Sequence, residues 1–232
     1  MIKVVAINGS PRMNKGNAAM ILTPFIQGMT DAGAEVTLFY ASQLKIKPCS
    51  CSGMFCWYEK PGECCIKDDM QMLYPVMRES EILILATPVY IPLPSAMQKV
   101  VNRLCPLIEP FLEMRNGRTR ARFHKNVNIK KIALVSTGGW WEKGNFETVL
   151  HIAKELALNS SVDFAGGVLR PHAFLMKKKG KLTEDGEAIV KLVKKAGYNL
   201  IKKGKMQRKT LDDISRPLIS EKELRDRYNR AL

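Results

Sequence analysis

The chain has 232 residues, enough for one large domain with a proper core. It shows no signal-peptide pattern and no apolar run long enough to span a membrane. A cytoplasmic protein is therefore expected, its six cysteines reduced, metal-bound or redox-active rather than paired as disulfides. The formal net charge of +15 would suit an anionic cofactor, an acidic partner or nucleic acid, but the basic clusters at 115–131, 177–181 and 202–208 hold few aromatics, which argues against a single-strand stacking platform and for a solvated cationic surface.

The first element is a strand-length β-branched run, Ile2 to Ile7, followed by a polar loop from Asn8 to Asn17 and then an apolar helical pattern. Gly9 and Gly16 let the backbone turn, Ser10, Asn14 and Asn17 offer polar donors, and Arg12 and Lys15 offer charge. Together with the free N–H groups of the following helix, they make an anion the natural occupant. The loop is not a P-loop, because Gly16 is followed by Asn17 and Ala18 rather than by lysine and a hydroxyl residue. It also lacks the Gly-x-Gly-x-x-Gly dinucleotide fingerprint. At ten residues it exceeds the usual two to six of a βα connection, which favours function over plain helix capping.

Helix one carries the stripe Ile21, Leu22, Phe25, Ile26 and Met29, with Pro24 expected to kink or shorten it. Further strands follow at Glu35–Tyr40, Glu81–Ala86, Ile129–Ser136 and Val162–Val168; those at 81 and 129 are almost continuously apolar, as strands covered on both faces are. Between and after them, Met97, Val100, Val101, Leu104 and Ile108 form one helical stripe, and Ile189, Leu192, Val193 and Ala196 another. This alternation predicts an α/β chain with right-handed crossovers: a flavodoxin-like, doubly wound, five-stranded parallel sheet in the order 2-1-3-4-5. Residues 1–205 form the expected domain and 206–232 a C-terminal extension. The extension lacks periodicity until a short helix over 220–232, which could wrap a neighbouring subunit.

A cysteine-rich loop spans 48–67, with Cys49, Cys51, Cys56, Cys64 and Cys65 in the spacing Cys-x-Cys-x4-Cys-x7-Cys-Cys. Such thiol density can hold an iron–sulfur cluster; without Cys-x2-Cys knuckles zinc is the weaker reading, and a set of buried thiols is the alternative to any metal. Cys105 reads as core on its helix stripe, and Asp68 and Asp69 as caps of the next helix. The three histidines, His124, His151 and His172, form no triad or metal motif and read as structural.

Three sets of residues then bear a family resemblance: Asn8-Gly-Ser-Pro-Arg12 with Gly16-Asn17; Cys56-Trp57 through Pro61-Gly62-Glu63-Cys64 to Asp68-Asp69-Met70; and Thr87-Pro88-Val89-Tyr90. Over roughly residues 1–170 the chain resembles the iron–sulfur flavoprotein and NADPH-dependent FMN reductase branch of the flavodoxin-like superfamily. The resemblance implies FMN, its phosphate at Ser10, Arg12, Gly16, Asn17 and Ala18. It places the ring along Pro88, Val89, Tyr90 and Ile91, closed on its other side by Thr137, Gly138, Gly139 and Trp140. All three loops leave strand carboxyl ends, where open α/β sheets bind ligands, and Tyr90 or Trp140 could stack on a ring while Gly138 and Gly139 let backbone N–H groups approach its edge.

The resemblance also brings a departure. Iron–sulfur members carry Cys-x2-Cys-x2-Cys-x5-7-Cys. Cys56 and Cys64 match its last two ligands, but Ser50 and Gly53 stand at the first two positions, so a [4Fe–4S] set here would draw on Cys49, Cys51, Cys56 and Cys64. The implied activity is hydride transfer from NAD(P)H to FMN, then electron transfer to a quinone, a flavin, a metal ion or an iron–sulfur partner, by a homodimer or homotetramer. The alternative is a flavodoxin-type or iron–sulfur flavoprotein electron carrier without a small-molecule substrate, although short flavodoxins are acidic and this chain is basic. A third reading, a metal-binding module on nucleic acid, needs no flavin.

Overall fold

A computed structural model of the chain describes residues 1–230, so Ala231 and Leu232, the last two positions of the expected terminal helix, lie outside the described residues. Five parallel strands form the centre: β1 (Lys3–Asn8), β2 (Glu35–Tyr40), β3 (Ile82–Pro88), β6 (Lys131–Thr137) and β7 (Asp163–Arg170). Their order is β2-β1-β3-β6-β7, the predicted 2-1-3-4-5 when only parallel strands are counted. Two elements fall between β3 and β6: helix α4 (Ser95–Asn102) and an antiparallel hairpin of β4 (Ile108–Arg115) and β5 (Arg118–Phe123). The other helices are α1 (Asn17–Asp31), α2 (Phe55–Tyr58), α3 (Met70–Glu79), α5 (Glu147–Asn159), α6 (Glu184–Lys203), α7 (Arg208–Ser215) and α8 (Glu221–Asn229); a small hairpin, β8 (Lys177–Lys178) with β9 (Lys181–Leu182), precedes α6.

The period of two in the strands builds two apolar layers. Val5, Ile7, Leu83, Leu85, Ile132 and Leu134 face α3, α4 and α5. Their neighbours Val4, Ala6, Ile82, Ile84, Ala133 and Val135 face α1, α6 and α7. Both faces of the sheet are therefore dry, which is why these strands read as unbroken apolar runs. Pro24 does not shorten α1, which runs through it for 15 residues with Ile21, Leu22 and Phe25 buried around it. Burial on the sheet and α6 outweighs the one backbone hydrogen bond that the proline deletes.

Four further expectations are corrected. Helix α4 ends at Asn102, so Leu104 and Ile108 are not on its stripe, and Ile108 instead begins β4. Cys105 lies on the short turn Cys105–Leu107 and is half-buried rather than in a helix. The basic cluster at 115–131 is largely hairpin, partly neutralised by Arg120–Glu155 and Arg122–Glu109 pairs at 2.7 Å. The stretch after Lys205 is not aperiodic: α7 places Thr210 and Ile214 in the interior, and Met206 and Ile214 join the core layer of α1 and α6.

Helices α1 and α6 approach closely because both present glycine at the crossing. A Cβ on Gly197 would lie 2.1 Å from the Phe25 carbonyl oxygen, and one on Gly28 would lie 1.9 Å from that of Lys194. Helix propensity alone would make Gly197→Ala stabilising by about 1 kcal/mol. Backbone overpacking reverses the sign, so a net loss of about 1–3 kcal/mol is expected in urea titrations. An unchanged or raised midpoint would show that the helices separate freely.

Candidate flavin-binding site

The site is built on three loops at the carboxyl ends of β1, β3 and β6. Asn8, fully buried at the end of β1, accepts a hydrogen bond from the Ser10 N–H through its side-chain oxygen (2.9 Å), and the Ser10 hydroxyl accepts from the Arg12 N–H (3.3 Å). This folds the chain back so that a short helical turn, Met13–Lys15, delivers it into α1. No side chain caps α1 at Gly16, which leaves its first N–H groups, those of Asn17 and Ala18, without a side-chain acceptor. The Asn8 side-chain amide nitrogen is buried and has no partner. An uncapped helix N-terminus, Arg12 and Ser10 form a donor set that fits a phosphate.

The other two loops are held in register. The Val89 N–H donates to the Thr137 carbonyl (2.8 Å), and the Ser136 hydroxyl donates to the Thr87 carbonyl (2.8 Å). One cavity of about 360 Å³ is lined by Ser10, Arg12, Asn17, Ala18, Pro88, Val89, Tyr90, Thr137, Gly138 and Gly139, and also by Phe174 and Tyr228. Three candidates stand apart from its lining. Gly16 lies behind the loop, where a Cβ would be 2.6 Å from the Ser10 hydroxyl. Ile91 is fully exposed and lines a neighbouring apolar cavity of about 790 Å³ together with Tyr90, Leu93 and Lys99. Trp140, 67% exposed, faces a groove against α8. The Gly138 N–H is already engaged by the Arg170 carbonyl (3.1 Å), so it is not a free donor.

A family model described as NADPH-dependent FMN reductase matches residues 2–174. The chain belongs to that family. Curated relatives of this FMN reductase family chain carry the name iron-sulfur flavoprotein. One, from Archaeoglobus fulgidus, is 36% identical over 106 residues, covering 45% of this chain and 46% of its own length. Another, from Methanocaldococcus jannaschii, is 27% identical over 197 residues, covering 81% of this chain and 90% of its own length. The matched stretch thus spans about half the length of the first of these relatives. Among solved structures the fold is similar to an NAD(P)H:quinone oxidoreductase from Methanothermobacter marburgensis. That likeness has a TM-score of 0.58 at 14% identity and covers 86% of this chain and 98% of the other. It is likewise similar to an FMN-dependent NADH-azoreductase from Bacillus anthracis in complex with FMN, with a TM-score of 0.55 at 10% identity over 87% of this chain and all of that one.

The cysteine loop of this FMN reductase family chain does not assemble a metal site. All six cysteines are free thiols, and among the described residues no three His, Cys, Asp or Glu side chains converge as ligands. Cys49 and Cys51 lie 3.8 Å apart at the surface. Cys56 is buried toward Cys105, and burial, with the Cys105 thiol adding to it, pushes its pKa up to about 12. Cys64 is held by Arg103, whose guanidinium nitrogen lies 3.2 Å from its sulfur. Cys51 and Cys64 lie near enough to Cys56 to act on its charge, but the set Cys49, Cys51, Cys56 and Cys64 does not converge on one point as the ligands of a [4Fe–4S] cluster would.

Arg103 is the residue here that the sequence did not announce. It is buried with Asp68, at 1% and 2% side-chain exposure, with a nitrogen–oxygen distance of 2.7 Å. Burial alone would raise the Asp68 carboxyl. The Arg103 hydrogen bonds and the Lys47 and Met70 amides outweigh it and hold the group below the usual carboxylate range. Asp68, expected as a cap, does accept from the Met70 N–H (3.0 Å), but its main partner is this arginine; Asp69 accepts from the Lys45 N–H (2.7 Å). No helix among the described residues is long and apolar enough to cross a membrane.

Proposed function

We propose that the chain is an FMN-dependent NAD(P)H oxidoreductase of the cytoplasm that passes electrons from the reduced flavin to a quinone, a flavin or an iron–sulfur acceptor. The observation that carries this reading is the single cavity into which the three strand-end loops converge, with phosphate-type donors at one end and Pro88, Val89 and Tyr90 facing Thr137, Gly138 and Gly139 at the other. Bound FMN supplies the hydride and electron chemistry, so no side-chain acid or nucleophile is required. Arg12, Ser10, Asn17 and the N-terminus of α1 hold the phosphate. The Val89–Thr137 hydrogen bond ties together the two loops along which the flat ring would lie. A homo-oligomer belongs to the same reading, supported by the exposed apolar side chains Phe111, Leu112 and Met114 of the hairpin.

The test is FMN titration followed by anaerobic mixing with NADPH or NADH. Arg12→Ala removes one charged donor and should raise the FMN dissociation constant about 10- to 100-fold. Bleaching of the flavin bands by a nicotinamide nucleotide, with turnover on a quinone, supports a reductase. Flavin bands that only an added protein reductant bleaches would make the chain a carrier. Failure to bind FMN would sink the reading.

A further inference from the structure

Tyr228 and Phe174 line the same cavity as the phosphate loop, and Tyr228 comes from the last helix, far beyond the residues matched by the family model. That helix is seated rather than loose. The Ser220 hydroxyl caps it by accepting from the Glu223 N–H (3.2 Å), Leu224 is buried beneath it, and the Trp141 indole donates to the Ile219 carbonyl (2.8 Å) just ahead of it. A hydrogen bond thus ties the segment after the glycine loop of β6 to the residues that lead into α8.

The tip of the helix points its aromatic residue into the cavity. The Tyr228 ring meets Phe174 edge to face, with centroids 5.9 Å apart at 82°, a geometry that fixes both rings. A Cβ on Gly139 would stand 3.1 Å from the Tyr228 hydroxyl, so the glycine leaves this oxygen beside the loop that closes the ring site. Yet Tyr228 and Phe174 keep 45% and 38% of their surface exposed. A paired aromatic wall that lines the cavity and keeps part of its surface uncovered is a surface for a ligand to complete.

We propose that Tyr228 touches the flavin bound in this cavity and that α8 is the wall that shields that flavin from bulk solvent. The inference rests on the FMN reading above. Tyrosine suits the position because it offers an apolar ring to a flat ligand and a hydroxyl to a polar edge.

The experiment compares the full-length chain with Tyr228→Ala and Tyr228→Phe, following FMN affinity and the quenching of bound-flavin fluorescence by iodide. Tyr228→Ala should weaken FMN binding roughly five- to tenfold and make the bound flavin clearly more accessible to iodide. Tyr228→Phe should restore the shielding, which a general loss of structure would not allow. Unchanged affinity together with unchanged iodide access in Tyr228→Ala overturns the proposal. If Arg12→Ala still weakens FMN in the same assay, only the role of α8 has failed. If the unsubstituted chain binds no FMN, both readings fail together.

Discussion

Arg103→Ala should destabilise the chain by about 3–5 kcal/mol, because it leaves the Asp68 carboxylate buried without its counter-charge. The pair lies at 1% and 2% exposure, so bulk solvent does not reach the carboxylate in the intact fold. Arg103 does more than neutralise Asp68. Its two terminal nitrogens also donate to the Lys47 carbonyl (2.8 Å) and the Ile66 carbonyl (3.4 Å), which brackets both ends of the cysteine loop. The loss should therefore appear as a large fall in the urea midpoint and as faster alkylation of Cys64, whose sulfur the guanidinium now covers. Replacing both partners by apolar residues of similar volume, Arg103→Met with Asp68→Leu, should recover only part of the stability: it removes the stranded charge but leaves the Lys47 and Met70 amides and the Lys47 and Ile66 carbonyls without these partners. A single variant that loses less than about 1 kcal/mol would mean that the site floods with water or that the carboxyl picks up a proton.

The pH dependence of this pair has a definite sign. The folded Asp68 pKa is depressed, so its contribution is complete above the unfolded carboxylate value near 3.9 and is lost as pH falls toward the folded value. The double apolar variant should accordingly lose less stability in strong acid than the unsubstituted chain.

What the sequence discloses, and what it hides, follows from the range of the interactions. The runs at 82–88 and 131–137 are legible because strands covered by helices on both faces must be apolar throughout. The phosphate-type loop is legible because its donors are neighbours in sequence. The hairpin at 108–123 is not, because charged residues stand opposite one another along it, Glu109 opposite Arg122 and Glu113 opposite Arg120, and a register shift between Glu109 and Glu113 breaks its alternation. Helix α7 is too short for a periodic signal, and its burial comes from packing on β7 and α6. Asp68 and Arg103 lie 35 positions apart, and Tyr228 stands almost ninety residues beyond Gly139, so only the folded chain reveals either partnership. The contacts of Cys56 with Cys105 and of Cys64 with Arg103 are likewise ones that no spacing rule contains.

Acid should unfasten the C-terminal segment through His172. This side chain is fully buried, and its Nε2 faces two donors, the Arg170 guanidinium (3.0 Å) and the Leu218 N–H (3.1 Å). Nε2 must therefore be the bare nitrogen, with the proton on Nδ1, which is buried without a partner. Burial, then the neighbouring Arg170 charge, pushes the His172 pKa down to about 4. Arg170 remains a cation at neutral pH even though burial and Arg216 lower it to about 10, and it anchors α7 by donating to the Ile214 carbonyl. Protonating His172 would set a second positive charge against it and remove the acceptor that holds Leu218. Because the folded value lies below the unfolded value near 6.5, the stabilisation is fully present above pH 6.5 and is lost as pH falls toward 4. The loss should reach about 3 kcal/mol by pH 4. His172→Asn tests this directly, since asparagine tolerates the left-handed backbone at this position (φ 36°) and keeps an acceptor without titrating. Measured by urea unfolding between pH 7 and pH 4, the variant should show a shallower decline than the unsubstituted chain. Parallel declines would show that His172 titrates as it does in the unfolded chain, and that the segment carrying Tyr228 is held by contacts indifferent to its proton.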